Sequence, residues 1–206
     1  MKTTVAALAV VLLLALGAGC GADTSSTANG STANRACPSA WRAGWQRLAN
    51  RVGTTVYCPR WVPSPLTAQI GGRWSTGVSV GKRDHSYLAG FIWFEKGSEV
   101  HVNFRGYPGR VTVPTCVNEE QVGKKLVRSK VPCFADPHGT QRIGPFRVTL
   151  YTVNRDADQW HLLYLFRHAG SLYAVSEHVA PPFGYQRVLR NLGRMVRGLV
   201  PIRPTS

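Results

Sequence analysis

Residues 160–178 read WHLLYLFRHAGSLYAVSEH, two apolar runs joined by Ala169-Gly170. A connection this short, ending in Gly and flanked by aromatic and β-branched residues, signals a β-hairpin. Successive side chains of a strand point to opposite faces. Trp160, Leu162, Tyr164 and Phe166 therefore share one face, and Leu163 and Leu165 share the other. A strand that is apolar on both faces has to be covered on both, which predicts a place in the middle of a sheet.

Upstream, the apolar period is two from residue 73 onward. Residues 87–94 are aromatic and β-rich, and Val100, Val102 and Phe104 alternate with Glu99, His101, Asn103 and Arg105. The link Glu95-Lys96-Gly97-Ser98 makes these runs a second hairpin. Residues 110–113, 126–131 and 146–153 are further strand candidates, and residues 58–65 are proline-rich and irregular. Residues 38–52 read as a helix. Pro38 suits a first turn, Trp41, Trp45, Leu48 and Val52 fall on one narrow face, and Gly53 ends the run. Residues 185–200 form a second, strongly amphipathic helix. Val188, Leu189, Leu192, Met195, Val196 and Leu199 lie opposite Arg187, Arg190, Arg194 and Arg197, and Pro201 and Pro204 close the run. The expected class is α+β: an antiparallel β-sheet of about five to seven strands with an N-terminal and a C-terminal helix packed on it. No internal repeat is present.

The front of the chain speaks to location. Met1-Lys2 supplies one positive charge, residues 5–16 are all Val, Ala or Leu, and Leu16-Gly17-Ala18-Gly19-Cys20 follows. A basic start, an apolar stretch of about 7–15 residues and a small-residue cleavage site define a signal peptide. The run is shorter than the roughly 20 residues a membrane span needs. Its ending resembles the lipobox of bacterial lipoproteins, with Gly17 rather than Leu three residues before the Cys. The resemblance implies that Cys20 is lipidated on sulfur and becomes the mature N-terminus, holding the chain on the membrane through acyl chains. Secretion after another small residue, or an uncleaved anchor, are the competing readings. The expected organisation is a signal peptide over 1–19, a lipidated Cys and flexible linker over 20–36, and a single globular disulfide-bonded domain over 37–206. The linker assignment rests on residues 21–35, which have almost no large apolar side chain to bury.

Of five cysteines, four remain once Cys20 is assigned to lipid: Cys37, Cys58, Cys116 and Cys133. In an oxidising compartment four cysteines favour two disulfides, with three possible connectivities. The local pairs Cys37–Cys58 and Cys116–Cys133 each bracket one segment and are the expected ones. No Cys-x-x-Cys or His-x-x-x-His spacing supports a zinc site, and no motif calls for a cofactor.

The net charge of +15 comes from 25 Lys and Arg against ten acids, and a field of that sign attracts polyanions. Outside the cytoplasm nucleic acid is not the expected target. Anionic phospholipid head groups, anionic wall polymers or an envelope protein are, although the same excess also serves plain solubility. The densest cluster is Lys124-Lys125, Arg128 and Lys130. The anion-binding candidates are Arg187, Arg190, Arg194 and Arg197, whose guanidiniums can pair bidentately with phosphate or carboxylate. The competing reading is an ordinary surface helix with solvated arginines. Residues 146–200, with Gly170-x-x-Tyr173 in the last strand, are also similar to small envelope lipoproteins of Gram-positive bacteria. Some of those have folds akin to lipoprotein-carrier or sigma-factor-regulator domains. That similarity assigns no functional residue.

Catalytic patterns are weak. Gly77-Val78-Ser79-Val80-Gly81 matches Gly-x-Ser-x-Gly, a nucleophile elbow that needs a strand turning into a helix. Here a polar turn, Lys82-Arg83-Asp84-His85-Ser86, leads into another strand-like run. His101 alternates with core residues and so faces outward. His161 and His168 are expected on opposite faces, His178 ends a strand beside Glu177, and His138 lies in the turn Asp136-Pro137-His138-Gly139. Asp156 and Asp158 resemble part of a calcium loop, but its Gly and Glu are absent and solvated turn acids are the expected reading. Glu119-Glu120 reads as an exposed turn, or as local partners for Lys124 and Lys125. The functional expectation is a lipid-anchored, non-enzymatic protein on the extracytoplasmic face of the cell membrane, binding an anionic envelope component or a protein. The alternatives are an envelope hydrolase using Ser79 or a His, and a carrier of small apolar ligands lined by aromatics of residues 91–94 and 160–166.

Overall fold

Strands β9 (His161–His168) and β10 (Ser171–His178) form the expected hairpin in the computed structural model of the chain. Ala169 and Gly170 both have positive φ, 46° and 73°. That is the primed two-residue turn whose twist matches its flanking strands. The structure describes residues 36–66, 73–95, 98–153 and 161–205, all within one compact unit. The signal peptide, Cys20 and most of the linker lie outside the described residues, as do Trp160, Asp156, Asp158 and the tip of the 95–98 connection.

The hairpin sits in the interior of a seven-stranded antiparallel sheet. Its order is β2 (Arg73–Val80), β3 (Tyr87–Glu95), β4 (Ser98–Tyr107), β10, β9, β8 (Phe146–Val153) and β7 (Pro137–Ile143). Two short ribbons accompany it: β5 (Thr115–Val122) with β6 (Lys125–Pro132), and β1 (Val56–Pro59) with β11 (Leu199–Ile202). With α1 (Ser39–Val52) and α2 (Tyr185–Arg197), the fold is mainly β, built on one antiparallel sheet with two helices. Among the described residues no helix is long and apolar enough to cross a membrane.

Alternation divides the packing into two cores. One holds Leu162, Tyr164, Phe166, Tyr173 and Val175 of the hairpin together with Trp45, Leu48 and Val52 of α1 and Val188, Leu192, Met195 and Val196 of α2. Trp41 and Trp45 meet Phe91 and Phe104 of the sheet at ring separations of 5.0 and 5.9 Å. The other core is smaller: Leu163, Leu165, Leu172 and Ala174 lie under Phe134, with Tyr107, Val113 and Cys133 around them. Near the hairpin's turn end, Tyr87 crosses Gly106 so closely that a Cβ there would stand 2.2 Å from the ring. Only glycine leaves room for that buried tyrosine.

Several expectations are corrected. The C-terminal helix stops at Arg197 rather than running to 200, and Leu199–Ile202 becomes β11, paired with β1, whose last two residues, Cys58 and Pro59, fall in the segment expected to be irregular. Residues 110–113 are not a strand. Pro108-Gly109 and Pro114 bracket them, and Pro supplies no N–H for a ladder. Pro137–Ile143 is a strand rather than a turn, its register shifting between Pro137 and Thr140, which is how an edge strand accommodates Pro and Gly. Glu119 and Glu120 lie on β5 rather than in a turn, and Glu119 pairs with Arg128 at 2.8 Å instead of Lys124 or Lys125.

Both expected disulfides are formed, Cys37–Cys58 and Cys116–Cys133. The first ties the chain entering α1 to β1; the second closes the base of the β5–β6 ribbon. Each closes a loop of similar length, for which chain entropy gives about 3 kcal/mol. Replacing Cys37 and Cys58 by Ala is expected to cost about that much global stability in denaturant unfolding. Replacing Cys116 and Cys133 should instead raise hydrogen exchange chiefly across 115–132, because that ribbon has little core of its own to lose.

Candidate functional site

Two polar constellations stand out, and the first is the outer side of α2. Val188, Leu192, Met195 and Val196 are fully buried while Arg187, Arg190, Arg194 and Arg197 are exposed. The apolar face is thus consumed by the core, and the arginines form a stripe about 15 Å long at 1.5 Å per residue. Two of them are held in place. The Arg187 guanidinium lies 4.6 Å over the Phe183 ring and that of Arg194 lies 3.9 Å over Trp61, cation–π contacts that orient without neutralising. Arg60 adds a further cation at the helix end, donating to the carbonyls of Gly198 (3.1 Å) and Arg197 (3.4 Å). The two close acid–base contacts found among the described residues, Glu99–His101 and Glu119–Arg128, do not engage the stripe. Arginines in the last turn are favoured by the helix dipole, so Arg194 and Arg197 need no acidic partner to sit there.

The second constellation was not legible as such in the sequence. His101 of β4, His178 of β10 and His161 of β9 come together across three adjacent strands, with ring centroids 4.5 to 5.1 Å apart. The Nε2 atoms of His101 and His161 are hydrogen-bonded to each other, which requires one ring to donate and the other to accept. His178 Nδ1 lies 2.9 Å from the Glu99 carbonyl oxygen. His101 Nδ1 lies 2.8 Å from Glu99 Oε1, without hydrogen-bond geometry. His101 was expected to face outward; its side chain is only 12% exposed, because its neighbours in the row cover it. Burial, then the nearby His178 and Arg105, lower its pKa to about 4. In the next rungs Arg105 Nη1 donates to Ser176 Oγ at 2.9 Å. Among the described residues no group of three or more His, Cys, Asp or Glu is arranged to hold a metal ion.

Glu177 lies on the opposite side of β10 from this row, fully buried. Asn191 Nδ2 of α2 donates to its Oε1 at 2.7 Å, while Oε2 has no hydrogen-bond partner. Burial pushes its carboxyl up to about 8, against the opposing pull of Asn191 and Arg187. The sequence carried a signal here: Glu177 is in phase with the core residues Tyr173 and Val175.

The remaining candidates are dispersed. Ser79 is exposed near the end of β2, the outermost strand of the sheet on that side, and the chain after it turns back into β3 rather than into a helix. His85 contacts the Val52 carbonyl oxygen through Nδ1, at 3.2 Å. His168 Nδ1 is hydrogen-bonded to the Tyr57 hydroxyl, whose pKa burial and Tyr173 push up to about 12. His138 Nε2 meets Thr152 Oγ1 at 3.2 Å. A cavity of about 290 Å³ opens between α1 and strands β2 and β3, lined by Trp41, Leu48, Val78 and Phe91 among others. Among the described residues, Phe91 is the one aromatic of the expected carrier lining found there; Tyr164 and Phe166 are buried in the core. No protein-family model matches the chain, and no curated protein or solved structure matches it either.

His101 and Glu177 act on stability in opposite senses. Unfolded, His101 titrates near 6.5 and folded near 4. Between those values only the unfolded chain takes up the proton, so acidification through that window removes stability. Unfolded, Glu177 titrates near 4.5 and folded near 8, so there stability falls as pH rises through the window. Denaturant unfolding as a function of pH should show His101→Gln flattening the acid limb and Glu177→Gln flattening the alkaline one. Each effect is on the order of a few kcal/mol.

Proposed function

We propose that this protein is a lipid-anchored, non-enzymatic domain on the extracytoplasmic face of the cell membrane that binds an anionic envelope component through the arginine stripe of α2. In this reading the acyl chains on Cys20 hold it, residues 21–36 lift it from the bilayer, and an α+β layout with both helices on one face of the sheet presents the stripe. The observation that carries it is the division of α2: an apolar side wholly spent on the core, and four exposed guanidiniums, two of them pre-oriented by Phe183 and Trp61. The two guanidiniums held over aromatic rings lose little freedom on pairing with phosphate or carboxylate oxygens. Anionic lipid head groups and anionic wall polymers both offer such oxygens.

A carrier of small apolar ligands is the second reading, favoured by the 290 Å³ cavity beside Trp41 and Phe91.

The test is binding of the Cys20→Ser chain to vesicles containing phosphatidylglycerol and to neutral vesicles. At about 1 kcal/mol per basic residue near an anionic surface, replacing all four arginines by Gln should weaken binding roughly 1,000-fold and flatten its salt dependence. Equal affinity for both vesicle types, or for both chains, removes the polyanion reading. Mass spectrometry of the native protein reads the anchor separately. A mature chain beginning at Cys20 and carrying a diacylglyceryl mass is expected, and an unmodified Cys20 overturns it.

A further inference from the structure

The β5–β6 ribbon is an arm with nothing over it among the described residues. Its only ladder is between its own two strands, and nearly every residue along both is exposed. An isolated two-stranded hairpin is marginal in water. This one is stapled at its base by Cys116–Cys133 and seated by Phe134 in the second core. It extends about 25 Å at 3.3 Å per residue. It also holds four of the six large apolar side chains left most exposed among the described residues: Val117, Val122, Leu126 and Val127, between 46% and 59% exposed. Around its tip stand Lys124 and Lys125, with Arg128 and Lys130 further down.

We infer that the tip of this arm docks into the head-group layer of an anionic phospholipid membrane. Register decides between membrane and protein. Val122 shares a rung with Lys125 and Val127 with Glu120, whereas Leu126 pairs with Gln121 and Val117 with Lys130. Since side chains alternate along each strand, Val122 and Val127 project from one face and Leu126 and Val117 from the other. A protein partner covers one face of a ribbon; apolar groups on both faces, collared by lysines, match a medium that surrounds the tip. Open strand edges do not enter hydrocarbon, so the insertion is shallow. Val122 and Leu126 settle at the boundary of head groups and acyl chains, about 5–10 Å deep at most. The Lys124 and Lys125 stems reach back so that their ammonium groups meet lipid phosphates. The acyl chains proposed on Cys20 would hold the chain at the bilayer, and the basic, apolar tip adds a second contact that sets how the domain stands on it.

The inference rests on the proposed membrane attachment for its setting. Its failure is distinguishable, because the arm is read by a local probe, the anchor by mass, and the α2 stripe by its own variant. The full chain with Cys20→Ser carries an environment-sensitive fluorophore on Gln121→Cys, on the Leu126 rung, or on Arg203→Cys as a control. Each is mixed with vesicles of phosphatidylcholine alone or with about one-third phosphatidylglycerol. At position 121 a blue shift and at least about a two-fold rise in emission are expected on the anionic vesicles only, quenched by lipid-borne nitroxide. Position 203 should not change. Lys124→Gln with Lys125→Gln should abolish the response, as should Val122→Ser with Leu126→Ser. Unchanged emission at 121, as for an arm that docks on a protein, overturns the inference. So does an equal response on neutral vesicles, an equal response at 203, or a response that survives both pairs of substitutions.

Discussion

The molecule depends on the two-sided burial of one hairpin. Side chains of β9 and β10 are apolar above and below the sheet, so neither strand can lie at an edge or face water on either side. Burying each such Leu, Phe or Val contributes about 1.5–3 kcal/mol, and it is gained only if both faces are covered. On one face α2, α1 and the β1–β11 ribbon supply the cover, with Tyr57 meeting Tyr173 and Phe166 edge-on at 4.8 and 5.9 Å. On the other, the chain between β4 and β7 returns across the sheet and sets Phe134 over Leu163, Leu165 and Leu172. The arm springs from that return. Its basal disulfide therefore ties an exposed ribbon to the same packing that the central hairpin demands.

The histidine row and the buried Glu177 lie at the far end of those strands, away from the Ala169-Gly170 turn. His161 and His178 close the hairpin opposite its turn, and His101 joins them from β4. Glu177 sits on the reverse of the next rung, opposite Leu162 and under α2. Burial drives both His101 and Glu177 toward neutrality, one by refusing a proton and the other by keeping it. This end of the sheet is thus uncharged where it is most enclosed, while the positive charge is carried on exposed helix and arm.

Charge and packing are separated in space. The α2 arginines never compete with its core side, and their aromatic partners come from elsewhere in the chain: Trp61 follows β1, and Phe183 precedes the helix. The arm makes a different use of the same excess, placing lysines beside aliphatic side chains that no core absorbs. The proposed stripe and the proposed tip are independent surfaces of one basic domain.

Alternation and helical spacing are local, and they determined a good deal: the central hairpin, β3 and β4, β8, both helices and the apolar side of α2 were readable from the chain alone. So was the pairing of Cys37 with Cys58 and of Cys116 with Cys133, since short loops favour neighbours. Tertiary structure decided what depends on partners distant in sequence. Leu199–Ile202 leaves the helical pattern because β1 offers it a ladder. The polar strands β5 and β7 form because a neighbour satisfies their backbone groups, although their side chains carry no core periodicity. His101, His161 and His178 have no spacing that links them; only strand order, which places β10 between β4 and β9, sets three imidazoles in contact. A strand's own sequence fixes which way each side chain points, but the residue standing beside it belongs to another strand, and that is settled only when the sheet assembles.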